Sequence, residues 1–345
     1  MRAAVQTGIH QIDLRDVPEP SPADETAIVR VRAAGICGSD LHPYHGRVEP
    51  QSLPDGHEVA GEVLHLPPGY RGPIRVGDLV ALDTICLGRA CGTCALCLAG
   101  QPFHCSRRHG SPDWGGGFAE QIQRRPAGLF RLPAGVTAEQ GALVEPLAVG
   151  VHAVRWLRLP TGATVVIVGA GTIGLMMLLA ARALGAGAVY VLARHAHQAA
   201  LAEALGATTV LRAEGDEAVE QVLGLTGGAG ADVVVETVGG HADTVNLAWE
   251  LVRVQGTVAV LGVFPRRVAL DLARPLAREV WATFPVCYGV IDGRHDYDVA
   301  IQLIAEGRAP VERLVTHRFA LEAAPEGFRT AADKSTGSVK VHLLA

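Results

Sequence analysis

The segment that most restricts this chain is the apolar run Val165-Val166-Ile167-Val168, which passes directly into Gly169-Ala170-Gly171-Thr172-Ile173-Gly174 and then into the apolar stretch 175–184. A strand, a GxGxxG turn and a helix in that order open a doubly wound sheet. Gly169 permits the tight turn, Gly171 lets the backbone approach a pyrophosphate, and Gly174 allows the helix to pack closely on the strand. Because the helix N-terminus then faces the phosphates, Gly169, Gly171, Thr172, Ile173 and Gly174 form a candidate dinucleotide site. A tight turn that needs glycines for its own geometry is the competing reading.

The surrounding texture supports the first reading. Candidate strands 164–168, 188–192, 208–211, 232–236 and 257–261 alternate with helical patterns such as 198–205, which predicts a parallel sheet covered by helices on both faces. Residues 1 to about 145 instead carry short β-like runs broken by Gly and Pro, among them 27–33, 58–64 and 78–83. Those runs predict a partly barrelled β domain with functional loops. The last segment, from about 290, ends in the alternating run 338–344 and is expected to cross back to the first domain. The expected organisation is thus 1–147 with 290–345, interrupted by a cofactor domain over 148–289.

Composition excludes several classes. With 49% hydrophobic and 19% charged residues the chain can pack a core and is not intrinsically disordered. A net charge of −5 leaves no basic excess for a phosphate backbone, so nucleic acid is not an expected partner. No apolar run reaches the roughly 18 residues that a membrane span needs, and Met1 to Asp13 lack a signal-peptide layout. A soluble, cytoplasmic protein is expected.

The acidic residue that usually holds the ribose 2′-hydroxyl should end the second strand of the cofactor domain. Here that position is followed by Ala193-Arg194-His195, with no carboxylate. A guanidinium could pair with a 2′-phosphate, which favours NADP over NAD, although Arg194 could equally be a solvated surface residue.

Of seven cysteines, Cys91, Cys94, Cys97 and Cys105 follow the spacing CxxCxxCx7C within a lobe over 86–105. Four thiolates satisfy tetrahedral zinc with no open position, which suits a structural site. Cys86 and Cys287 are read as buried apolar residues. Cys37, His57, Glu58 and Glu145 could furnish an open metal site, but each has a plain alternative as core residue, loop residue or helix cap.

Five motifs occur in one order: GICGSDLH over 35–42, GHE over 56–58, the cysteine lobe, EPLAVGVHA over 145–153, and the turn over 165–174. Together they resemble the zinc-dependent medium-chain alcohol and polyol dehydrogenases, and 314–319 resembles a tail segment of the sorbitol dehydrogenase branch. The resemblance implies an α/β chain with a GroES-like catalytic domain and a Rossmann cofactor domain. It also implies two zinc ions per chain, a nicotinamide cofactor, an alcohol, polyol or ketone substrate, and a homodimer or homotetramer. Cys37 and His57 would bind the catalytic zinc with Glu58, Glu145 or both, Asp40 would orient His57, and Ser39 and His42 would relay the proton. The reacting centre is expected between the two domains. Glu145 stands where classical alcohol dehydrogenases have cysteine, which points to the polyol and threonine branches.

Two departures put sorbitol itself in doubt: Pro43 replaces an aromatic residue of the animal sorbitol enzymes, and the segment 284–289 replaces their phenylalanine-arginine-tyrosine stretch. Tyr44, Trp114 and Tyr288 are pocket candidates that could equally be plain packing. The competing functions are a zinc-free quinone or enone reductase of the same superfamily, which would lack both ligand sets, and a non-catalytic cofactor-binding protein.

Overall fold

The computed structural model describes residues 1–46, 55–108 and 115–345. The chain forms two compact units, one of Met1–Glu145, Tyr288–Gly307 and Val311–Ala345, the other of Pro146–Cys287 and Arg308–Pro310. Both limits lie two residues before those expected from sequence. Arg308–Pro310, assigned above to the tail, instead groups with the second unit, because the Arg308 guanidinium donates to the carbonyl of Ala183.

Within the first unit the chain runs through β1 (Arg2–Gly8), β2 (Gln11–Asp16), β3 (Ala27–Ile36), β4 (Glu58–His65), β5 (Leu79–Asp83), β6 (Gln121–Arg124) and β7 (Leu129–Arg131). The second unit carries β8 (Val165–Val168), β9 (Val189–Leu192), β10 (Thr209–Leu211), β11 (Ala231–Glu236), β12 (Val252–Val260) and β13 (Trp281–Thr283). The chain then adds β14 (Val290–Ile291), β15 (Arg294–His295), β16 (Val315–Ala320) and β17 (Lys340–Leu344) to the first unit.

The main sheet of the first unit has the order β16-β17-β3-β4-β5-β7, with β6 also pairing β3. Alternation in β3 explains its central place: Val29 and Val31 enter the core beside Val59, Val63, Val80, Leu82, Phe118 and Ile122, while Arg30 and Arg32 face outward. Arg32 Nη2 reaches Glu62 on β4 at 2.7 Å. The C-terminal run pairs antiparallel with β3, Val341 opposite Ile36 and Leu343 opposite Ala34. That pairing delivers the last residues of the chain to the strand that precedes Cys37.

The second unit holds a six-stranded sheet in the order β10-β9-β8-β11-β12-β13, and every pairing in it is parallel. Strands β8 and β9 are apolar and buried on both faces, as a doubly covered parallel sheet requires. Chain order reverses at β8, and the crevice at such a reversal is where doubly wound sheets take their ligands. β12 begins at Val252 rather than at 257. An irregularity in its pairing with β11 and a left-handed Gln255, φ 55°, break the alternation that would have marked its start. Among the described residues no helix is long and apolar enough to cross a membrane.

His342 is fully buried on β17, and burial, with Lys340 and Arg318 adding repulsion, depresses its pKa from 6.5 to about 3. A base whose folded pKa is depressed supports the fold fully above its unfolded pKa and loses that support as pH falls below about 6.5. Between pH 6.5 and 5 this amounts to about 2 kcal/mol. His342→Leu should therefore flatten the loss of stability on acidification, measured by denaturant melts at pH 7, 6 and 5; equal slopes in both proteins would refute the assignment.

Candidate active site

Register brings the donor residues together. Cys37 follows the end of β3, Glu58 begins β4 opposite Gly35, and Asp83 ends β5 opposite Glu58. Gly35 has a specific reason to be glycine, since a Cβ there would lie 2.0 Å from Glu58 Oε2. The donor atoms of Cys37, His57 and Glu58 all lie within 4.8 Å of one another. A thiol, an imidazole and a carboxylate at that spacing fit a transition-metal ion of the zinc type.

Asp40 supports the group from behind. Its Oδ1 is 3.5 Å from His57 Nδ1, and its Oδ2 accepts the Cys37 backbone N–H at 2.8 Å. One carboxylate thus orients the imidazole and fixes the loop that carries the thiol. Burial works against a charged His57, but Asp40 and Cys37 outweigh it and hold the imidazole pKa well above 6.5.

Glu145 is buried in the same unit, but among the described residues it belongs to no group of three donors within 4.8 Å. Its pKa is pushed up to about 7, first by burial and then by the negative charge of Glu58 and Asp83, against the pull of His57 and Lys340. Ser39 is exposed in the turn after Cys37, and His42 is half-buried in the short helix Leu41–Tyr44. Of the pocket candidates, Tyr44 is packed against Phe328 and Tyr288 against Tyr297, both buried, while Trp114 lies outside the described residues. Burial of those two tyrosines removes them as exposed lining. Cys287, expected to be buried, is half-exposed and left-handed, with φ 52°.

Cys91, Cys94, Cys97 and Cys105 form the second donor cluster, with sulfur separations of 3.4 Å (Cys94 to Cys97), 3.8 Å (Cys94 to Cys105) and 4.0 Å (Cys91 to Cys97). The edge of a tetrahedron with zinc–sulfur bonds of about 2.3 Å is about 3.8 Å, so the lobe fits that ion. Thr93 draws the Cys91 thiol down to about 5, whereas burial and neighbouring thiols push Cys97 up to about 12. Four thiolates this close need a cation to ionise together.

In the second unit, the turn after β8 has Gly169 at φ 103° and Gly171 as N-cap of the helix Thr172–Ala183. A Cβ on Gly174 would sit 2.0 Å from the Gly169 carbonyl, while one on Gly171 would meet nothing within 4 Å. The two glycines therefore serve different ends: Gly174 closes the helix onto the turn, and Gly171 leaves free space in front of the helix N-terminus. Thr237 at the end of β11 donates to the carbonyls of Val168 and Gly169 at 2.9 and 3.2 Å, bracing the turn. Past β9, Arg194 is exposed and its Nε is 3.8 Å from Glu214 Oε1, and His195 occupies the N-cap position of the next helix without a side-chain capping bond. An exposed pair of that length holds the guanidinium only weakly.

Residues 23–134 match the alcohol dehydrogenase GroES-like domain, and 172–306 match the zinc-binding dehydrogenase domain. Sorbitol dehydrogenase of Bacillus subtilis (strain 168) is 31% identical over 350 residues, 99% of this chain and 96% of its own length. The chain belongs to the zinc-type alcohol and polyol dehydrogenase family. Among solved structures, alcohol dehydrogenase TADH from Thermus sp. ATN1 superposes with a TM-score of 0.88 at 31% identity over 100% of this chain and 99% of that one. A zinc-binding dehydrogenase from Sinorhizobium meliloti 1021 bound to NADP gives 0.85 at 30% over 100% and 99%.

Two residues near the dehydrogenase donor set escape a motif-based reading. Asp55 immediately precedes Gly56-His57-Glu58, and its carboxylate lies within 4.8 Å of donor atoms of Asp40 and His57. Lys340 on β17 places Nζ 2.5 and 2.6 Å from the two oxygens of Glu58. The available signal for Lys340 was a lone cation inside a terminal strand that is otherwise apolar apart from His342.

The glycine geometry makes a differential prediction. Gly174→Ala should cost about 1–3 kcal/mol of stability through a backbone clash. Gly171→Ala should melt like the wild type yet bind dinucleotide about tenfold more weakly, a loss of about 1.4 kcal/mol. Calorimetric melts with a cofactor titration separate the two, and equal dinucleotide affinity for Gly171→Ala and wild type would remove this turn from the cofactor site.

Proposed function

We propose that this dehydrogenase oxidises a hydroxyl-bearing carbon of an alcohol or polyol to the carbonyl, CH–OH giving C=O, with hydride passing to a nicotinamide dinucleotide and the proton to solvent. The observation that carries the reading is the Cys37–His57–Glu58 donor set, backed by Asp40, in a chain that also has a separate four-thiol cluster. One site has mixed donors and suits chemistry; the other has only thiols and suits structure.

A zinc ion held at the mixed site would act as a Lewis acid that lowers the pKa of the substrate hydroxyl, and the nicotinamide would accept the hydride. The protein's own part is to position and to move the proton. Cys37 and His57 would hold the ion together with a carboxylate from Glu58 or Glu145, and Asp40 keeps His57 in the orientation that presents a ring nitrogen. Ser39, exposed in the turn beside Cys37, takes the hydroxyl proton and hands it towards His42 and bulk water. Gly169, Gly171, Thr172, Ile173 and Gly174 hold the pyrophosphate at the helix N-terminus.

NADP is the favoured cofactor. Support comes from the absence of a carboxylate after β9, from Arg194 in a weak exposed pair, and from the NADP carried by the S. meliloti relative. The sorbitol dehydrogenase relatives support a polyol-class substrate. A cytoplasmic setting accords with a four-thiol cluster that requires reduced sulfur.

A homodimer accords with the edge of the second unit's sheet. β13 pairs on one side only among the described residues, and Leu276 and Trp281 beside it are 82% and 72% exposed. They flank an apolar groove of about 650 Å³ lined by Trp249, Phe264, Leu270, Leu276 and Phe284. A second copy pairing edge to edge would cover both the open ladder and the apolar side chains.

Metal analysis should find two zinc ions per chain, falling to one in Cys37→Ala, which should lose turnover while still binding dinucleotide. Retained turnover in Cys37→Ala would overturn the reading. In a panel of alcohols and polyols followed by nicotinamide absorbance, Arg194→Ala should lower kcat/KM with NADP and spare it with NAD. Trp281→Glu with Leu276→Glu should convert a dimer to monomer in light scattering, whereas a wild type that is already monomeric would exclude the edge-paired assembly.

A further inference from the structure

β11 runs through three buried valines, 233–235, and then ends in a carboxylate, Glu236, with no exposed surface. Its Oε1 accepts three hydrogen bonds, from the backbone N–H groups of Val238 and Gly239 at 2.8 and 2.9 Å and from the Thr244 hydroxyl at 2.7 Å. Its Oε2 is buried and has no hydrogen-bond partner among the described residues. A buried acid with one oxygen unsatisfied costs stability, so packing alone does not explain why the strand ends this way.

The surroundings supply a reason. A Cβ on Gly262, just past β12, would lie 2.3 Å from Glu236 Oε2, so the carboxylate fills the space between the segment leaving β11 and the segment leaving β12. The same two segments are tied by the Gly240 N–H to the Val263 carbonyl at 2.8 Å. Gly239 and Gly240 are both left-handed, with φ 61° and 70°, and two adjacent glycines hold one conformation only where something outside them fixes it. The loop they form also reaches the glycine turn, since a Cβ on Gly169 would lie 2.6 Å from Val238 Cγ2.

These segments leave the carboxyl ends of β11 and β12, on one side of the reversal at β8. A dinucleotide spans such a reversal with one half on each side. Arg194 lies past β9, on the other side, where the adenosine half was placed above. We propose that Glu236 is a positioning residue for the nicotinamide half: without touching the dinucleotide, it fixes the spacing of the β11 and β12 exits that this half must enter. The inference rests on the dinucleotide reading of the proposed function.

The test is calorimetric titration of the full-length protein with each dinucleotide and with the fragment of it that lacks nicotinamide: NADP with 2′-phospho-ADP-ribose, and NAD with ADP-ribose. Glu236→Leu removes the acceptor of three donors. It should weaken the preferred dinucleotide about tenfold and leave its fragment within about twofold of the wild type. Glu236→Gln keeps an oxygen for the same donors and should hold dinucleotide affinity within about threefold of the wild type.

A Glu236→Leu protein that binds the dinucleotide like the wild type overturns the proposal. So does one that loses dinucleotide and fragment in equal proportion, which is what a merely structural role would produce, and so does a Glu236→Gln protein as weak as Glu236→Leu. If Glu236→Leu does not fold, Thr244→Val decides: with one donor gone, the dinucleotide should bind about threefold more weakly and the fragment unchanged, and an unaltered ratio of the two affinities overturns the proposal. A wild type that binds neither dinucleotide nor fragment overturns the dinucleotide reading itself, which distinguishes the two failures.

Discussion

The donor site depends on one strand having three backbone partners. β3 pairs with β4 along nearly its whole length, with β6 at its start and with β17 at its end. Because antiparallel register is fixed residue by residue, those ladders decide which side chains meet. Gly35 opposes both Glu58 and His342, and Ile36 opposes Val341, so the end of β3, the start of β4 and the start of β17 arrive at one place. A slip of one residue in either ladder would turn Glu58 or Lys340 to the opposite face. The chemistry of the first unit is in this sense a consequence of hydrogen-bond register, with Gly35 conceding the space that Glu58 needs.

Charge within that place is arranged in a graded way. Cys37, Glu58, Asp40, Asp55, Asp83 and Glu145 gather negative charge around His57 and Lys340. Burial pushes Asp83 up to about 6 and Glu145 up to about 7, although three backbone N–H groups, of Ile85, Cys86 and Leu87, pull Asp83 the other way. An excess of acid in a desolvated pocket is costly without a counter-charge. Lys340 supplies one such charge permanently, and a divalent cation at the mixed site would supply the rest. The same logic applies to the lobe of four thiols, where opposed shifts on Cys91 and Cys97 express how poorly the cluster ionises by itself.

What the sequence disclosed follows from which forces are local. The turn at Gly169 was legible because strand, turn and helix are contiguous and each glycine answers to a neighbour a few residues away. The four-thiol lobe was legible for the same reason, since its ligands span fifteen residues. The Cys37 and His57 motifs became readable through resemblance, because nothing in their spacing alone says that two loops converge. Lys340 is 282 residues from Glu58, and only the tertiary ladder between β17 and β3 relates them. Asp55 was hidden in plain view beside the GHE motif, since its part depends on where the loop turns its carboxylate. β12 was read short because a pairing irregularity disrupts the two-residue period on which strand recognition rests.

The tail consequently has two functions that ordinary truncation logic would separate. As a strand it adds hydrogen bonds and the apolar residues Val341 and Leu343 to the core of the first unit. As the carrier of Lys340 it supplies the buried cation that pairs with Glu58, a residue that lies near the opposite end of the sequence. The β17 ladder thus carries both a share of the first unit's core and the cation that partners Glu58.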